Sequence, residues 1–216
     1  MPRALVTISP MASLLYIHGF LSSPLSVKAQ QLQQWLKQHR PDIAYYCPQL
    51  PPYPRQCETI LDDLINSIDS EGDRRNKPIY LMGSSLGGYW ATWLAERYQL
   101  QVVLINPAVD IEKLMSDYLN IELKNYHHTD VYKLDEKDFN DLLSYQMGKL
   151  KNVDNYWLLA QTGDEVLDYR LAKERYKGCH QTVERGGDHS FQNFDDFIPQ
   201  AINFFENKCF KRPLHE

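Results

Sequence analysis

Three short stretches of the chain carry side chains that could react with one another. Gly83-Ser84-Ser85-Leu86-Gly87 sets two hydroxyls between glycines. Residues 162–168, "TGDEVLD", offer the carboxylates of Asp164, Glu165 and Asp168, and residues 186–191, "GGDHSF", offer His189. A serine hydroxyl attacks a carbonyl at neutral pH only when a base takes its proton, and an imidazole oriented by a carboxylate is a common base for that step. Serine, then acid, then histidine is one chain order in which acyl-transfer sites present this set.

The glycine-rich turn has other uses, and its residues speak against them. A dinucleotide fingerprint, G-x-G-x-x-G, needs glycine where Ser85 stands. A phosphate loop ends in G-K-[ST], and Gly87-Gly88-Tyr89 supplies no lysine. The pattern G-x-S-x-G fits, a sharp strand-to-helix turn with the serine at its strained tip. The residues two before and two after that serine pack together and must be small. Around Ser85 they are Gly83 and Gly87; around Ser84 they would be Met82 and Leu86. Ser85 is therefore the candidate nucleophile. The N-terminus of the helix that follows adds partial positive charge, which favours an oxyanion.

Of the histidines after Ser85, His127 and His128 lie in a polar stretch, His180 begins a strand and His215 is in the tail. His189 follows the last strand, at the edge of a parallel sheet where ligands bind. Asp164 comes where the preceding strand breaks at Gly163, so it is the expected acid. Glu165 is expected to point the other way, and Asp168 to cap the next helix. An oxyanion hole needs two backbone N–H donors. Leu86, next to the nucleophile, supplies one, and Phe20 in the "HGF" loop after the first strand supplies the other, with His18 bracing that loop.

These groups must be held by regular elements. Strands are read at 13–19, 44–50, 78–83, 100–109, 155–164 and from 179, and helices at 23–39, 57–68, 85–98, 168–178 and 194–209, with "SEGDRRNK" a polar loop. Val27, Leu32, Trp35 and Leu36 are expected on one buried face of the first helix. The alternation predicts an α/β fold: a mostly parallel sheet of about six strands with helices on both faces. Residues 110–153 break the rhythm and are read as a cap-like insertion, with Leu114, Tyr118, Leu119 and Tyr132 lining an acyl pocket. The domain is expected to span 11–209, with 1–10 an upstream start or loose arm and 210–216 a tail.

Bulk properties narrow the partners. The chain has 216 residues, enough for one domain with a real core. A net charge of −5 and the absence of basic runs argue against nucleic acid and anionic membrane. No apolar stretch reaches the ~20 residues that span a bilayer. Pro10 interrupts the N-terminal apolar stretch, so no secretion signal is read. Cys47, Cys57, Cys179 and Cys209 lack metal-binding spacing, which predicts reduced thiols and a cytoplasmic location.

"YIHGF", "GSSLGG", "TGDEVLDYR" and "GGDHSF", in that order, resemble an α/β-hydrolase. More narrowly, "LLYIHGFLSSPLSVKA", "PQLPPYP", "GSSLGGYWATWLAE", "NPAV" and "QTGDEVLDYR" resemble the short YqiA-type bacterial esterases, over about residues 13–207. The resemblance implies a cytoplasmic serine esterase that needs no cofactor or metal. The expected substrate is a small acyl ester, short in its acyl chain because the cap is small. Two alternatives stand beside it. One is an acyl-CoA thioesterase, in which Lys124 or Lys133 could meet phosphates. The other is a non-catalytic hydrolase-fold binding protein, which the retention of serine, acid and histidine argues against. The oligomeric state is not legible.

Overall fold

In a computed structural model, residues 10–69 and 77–209 are described, without the side chains of Lys208 and Cys209. The expected arm before residue 10, the polar loop over 70–76 and the tail from 210 lie outside the described residues. The elements run β1 (Ala12–Ile17), α1 (Val27–His39), β2 (Ile43–Tyr46), α2 (Pro54–Asp69), β3 (Ile79–Ser84), α3 (Leu86–Tyr98) and β4 (Gln101–Ile105). Then come α4 (Ile111–Ser116), β5 (Leu123–Lys124), β6 (Val131–Tyr132), α5 (Glu136–Leu143), β7 (Tyr156–Gln161), α6 (Tyr169–Arg175), β8 (His180–Glu184) and α7 (Phe194–Cys209).

Six strands form one parallel sheet in the order β2-β1-β3-β4-β7-β8. Its strands read as continuous apolar runs because both faces are covered. Leu15, Ile17, Leu81 and Leu104 face a core shared with α2 and α3; Leu14, Tyr16, Met82 and Val103 face one shared with α1 and α7. Each buried leucine or isoleucine contributes about 1.5–3 kcal/mol by leaving water. The chain runs outward from β1 to β2 and then restarts at β3 on the other side of β1. The loops after β1 and β3 therefore part toward opposite faces, which leaves a crevice between their ends.

Several boundaries differ from the sequence reading, each for a local reason. β2 stops at Tyr46 because Pro48 has no N–H and restricts Cys47. β4 stops at Ile105, since Asn106 turns at φ 39° ahead of Pro107. α1 opens at Val27, which is exposed; its buried stripe is Ala29, Leu32 and Leu36, with Trp35 half-buried. Between β4 and β7, residues 110–153 fold into α4, the antiparallel β5–β6 hairpin and α5.

Candidate active site

Parallel strands bring all their C-terminal ends to one edge, and the candidate groups follow those ends. Ser85 comes directly after β3, with φ 56° and ψ −125°. Such a backbone costs a non-glycine residue about 1–3 kcal/mol and persists only where its surroundings fix it. Here the surroundings are backbone. A Cβ at Gly83 would overlap the Gly87 carbonyl and come within 2.8 Å of the Ala91 Cβ; a Cβ at Gly87 would overlap the carbonyl of Ile17. The Ser85 N–H donates to Ile105 O at 3.1 Å, and its carbonyl accepts from Gly88 and Ala108. Ser85 opens α3, yet its hydroxyl makes no capping bond to that helix.

The hydroxyl faces His189 instead, with Nε2 at 3.1 Å from Oγ. On the other side of the ring, Nδ1 lies 3.0 and 2.9 Å from the two oxygens of Asp164. An ionised carboxylate only accepts, so Nδ1 carries the proton and the Nε2 lone pair points at the serine. The Asp164 side chain is 2% exposed, and its Oδ1 also accepts from the N–H groups of Val166 and Leu167. Asp168 caps α6 by accepting from Arg170 N–H. Glu165 corrects the sequence reading: it does not turn away, because its carboxylate accepts from the His189 N–H at 3.0 Å.

The histidine loop is held by side chains that the sequence did not flag. The Asn106 amide donates to the carbonyls of Asp188 and His189, and its oxygen accepts from Gln161 N–H. The Gln161 oxygen accepts from the N–H groups of Asp188 and Gln192. Gln161 can sit there only because residue 187 is glycine, at φ 72°; a Cβ would overlap its side chain. Lys28, on α1, donates to Ser190 O at 2.7 Å. Burial pulls its pKa down to about 8, against the opposing pull of Asp188 and Asp164. Polar residues at strand ends carry the only sequence signal for Asn106 and Gln161, and their partners are far away in the chain.

A family model described as "Uncharacterised protein family (UPF0227)" matches residues 13–206. The chain belongs to the UPF0227 family. This is the YqiA-type group that its motifs resemble. A UPF0227 protein of Serratia proteamaculans (strain 568) is 23% identical over 194 residues, covering 89% of this chain and 98% of the relative. Among solved structures, a monoacylglycerol lipase of Paleococcus ferrophilus matches with TM-score 0.66 at 14% identity, over 91% of this chain and 96% of the other. Mouse alpha/beta hydrolase domain-containing protein 10 matches with TM-score 0.65 at 14% identity, over 91% and 90%. The fold is that of an α/β-hydrolase.

In this UPF0227 chain the loop after β1 lies against the elbow: a Cβ at Gly19 would sit 3.3 Å from the Ser85 Cβ. Among the described residues no backbone carbonyl accepts from the N–H of Phe20 or Leu86. His18 fixes the loop. Its Nδ1 donates to Gly19 O at 2.9 Å and its Nε2 accepts from Leu50 N–H at 3.1 Å. The bond from Leu50 needs the neutral ring, since only an unprotonated Nε2 can accept, and burial lowers the His18 pKa.

A cavity of about 20 Å³ is walled by Phe20, Leu86, Leu50, Cys57, Trp90 and Leu142 among others. That volume holds about one water-sized group. Of the segment between β4 and β7, Leu142 is the residue that reaches this cavity. Leu114, Tyr118, Leu119 and Tyr132 do not line this cavity. Tyr118 packs edge-on against Phe20 with ring centres 5.3 Å apart, and Tyr132 packs against Tyr53. Lys124 and Lys133 stand exposed on the hairpin. His127 and His128 are exposed between its strands, and His180 packs on Trp157 at the start of β8. His215 lies outside the described residues. Among the described residues, no helix is long and apolar enough to cross a membrane.

Proposed function

We propose that this protein is a serine esterase that cleaves short-chain acyl esters through an acyl-enzyme intermediate. One observation carries the reading: Asp164, His189 and Ser85 form a continuous hydrogen-bonded line that ends on a serine in a strained turn. The Ser85 Oγ bonds to the acyl carbon while its proton passes to His189 Nε2. Asp164 holds the ring in the tautomer that can accept it and stabilises the imidazolium. The C–O bond to the leaving alcohol then breaks, and His189 returns the proton to that alcohol. Water, deprotonated by the same nitrogen, attacks the acyl carbon and releases the carboxylic acid and free Ser85. The Phe20 and Leu86 N–H groups stabilise the tetrahedral oxyanion, each worth about 2.7–4 kcal/mol by analogy with measured donors.

The small cavity walled by Phe20 and Leu86 supports a short acyl group, and the likeness to a lipase is consistent with ester chemistry. The cytoplasmic location expected from the cysteines belongs to this reading. Its test is a panel of p-nitrophenyl esters and acyl-CoA thioesters with the native protein, Ser85→Ala and Ser84→Ala. Ester hydrolysis in the native protein should fall on the order of 10⁶-fold in kcat in Ser85→Ala. It should persist in Ser84→Ala. Hydrolysis of thioesters alone would replace the ester reading, and activity in neither set would end it.

A further inference from the structure

The esterase reading leaves open what limits the acyl chain, and the cavity walled by Phe20 and Leu86 supplies an answer that rests on that reading. We infer that Leu142 on α5 sets the acyl-length limit, and that the group it admits is acetyl. The walls come from separate parts of the chain: Phe20 after β1, Leu50 after β2, Cys57 on α2, Leu86 and Trp90 on α3, and Leu142 on α5. Phe20, Leu86 and Trp90 belong to the elbow helix and the loop against it, and Leu50 is tied to His18 of that loop, so a change there would disturb the reacting groups. Leu142 is the wall brought in by the segment between β4 and β7. The space left is about 20 Å³, room for about one small group.

This wall is held from both sides. The Leu142 carbonyl accepts from the Tyr89 hydroxyl on α3 at 2.7 Å. One residue earlier, Asp141 accepts from Arg55 on α2 at 2.9 Å. Three residues later, the Tyr145 hydroxyl donates to Glu58 on α2 at 2.6 Å and accepts from Arg55 at 2.9 Å. None of these ties uses the Leu142 side chain. Shortening that side chain therefore leaves the helix anchored and enlarges the cavity, in place of letting the wall collapse inward.

The experiment compares kcat/KM for p-nitrophenyl acetate, butyrate and hexanoate in the native protein, Leu142→Ala, Leu142→Val and Leu134→Ala. The native protein should prefer acetate over butyrate by about 10-fold or more, the range set by methylene-sized misfits in a pocket. Leu142→Ala should raise the butyrate-to-acetate ratio by about 10-fold, and Leu142→Val should raise it less. Leu142→Val also keeps the test open if the alanine variant fails to fold. Leu134 is buried in the same segment and does not line the cavity, so Leu134→Ala should leave the ratio unchanged. A native preference for longer chains overturns the inference. So does an unmoved ratio in the folded Leu142 variants, or an equal rise in Leu134→Ala. If the native protein hydrolyses none of the esters, the esterase reading falls and this inference with it; active protein with an unmoved ratio sinks the inference alone.

Discussion

The turn that carries Ser85 opens α3, and the helix that carries Leu142 packs on α2 and is tied to α3 through Tyr89, yet the two are held by different means. At the elbow, backbone meets backbone: Gly83 against the Gly87 carbonyl, Gly87 against the carbonyl of Ile17. At α5 the contacts are made by side chains: the exposed Arg55 and Lys137 pair with Asp141, Glu58 and Tyr145 lie behind them, and the buried Tyr89 hydroxyl donates to the Leu142 carbonyl. Close-packed backbone fixes an atom to within a fraction of an ångström and tolerates no substitution. Polar side-chain ties hold a wall and can be changed one at a time. In this molecule the Ser85 turn rests on the first kind of support and the Leu142 wall on the second. The proposed chemistry should be brittle and the selectivity adjustable.

The largest expected effect short of removing the nucleophile concerns the two aspartates near the end of β7. Asp164→Asn should fold and lose about 10⁴-fold in kcat, because His189 loses the partner that fixes its tautomer. Asp168→Asn should lose only a helix cap, about 1 kcal/mol of stability, and keep its activity. Steady-state rates and urea midpoints on both purified variants separate the roles. The reverse pattern would move the acid to Asp168.

Next comes the contrast between the two supports. Gly83→Ala should cost about 3 kcal/mol or more, since its Cβ meets carbonyl backbone that cannot yield. Asp141→Asn should move the urea midpoint far less, because its partners Arg55 and Lys137 are exposed and screened by salt. Equal losses in the two variants would erase the distinction.

The smallest expected effect is a dependence on pH through His18. Burial holds its folded pKa below the ordinary 6.5, so the unfolded chain binds the proton more readily. The stability contributed by the neutral ring is complete above that ordinary value and is lost as pH falls from there toward the folded pKa. The urea midpoint of the native protein should drop as pH goes from 7 to 5. In His18→Gln, which keeps an acceptor for Leu50 N–H and does not titrate, the drop should be shallower. Identical slopes would remove His18 from the account.

What could be read in the sequence follows the same division. That Ser85, not Ser84, sits at the tip of the turn facing His189 was legible because it depends on residues two positions away and on their size alone. The parallel sheet was legible from apolar runs that leave no polar face. Asp164 was legible from its place at a strand end, but the direction of Glu165 was not, since it depends on how the loop after β8 comes back to meet it. Asn106 and Gln161 are single polar residues whose partners stand 55–83 and 27–55 positions away. Leu142 sits in a polar stretch where nothing local marks it as a wall; its neighbours Asp141 and Tyr145 are tied to α2 across 86–90 residues. Local steric rules reveal themselves in sequence, and long-range polar ties do not.

Covalent capture tests whether Ser85 is an activated nucleophile. The native protein should be treated with a fluorophosphonate and the modified residue located by peptide mass spectrometry. One adduct is expected, on Ser85, absent from Ser85→Ala, retained in Ser84→Ala and strongly slowed in Asp164→Asn. An adduct on Ser84, or no adduct on folded native protein, would contradict it.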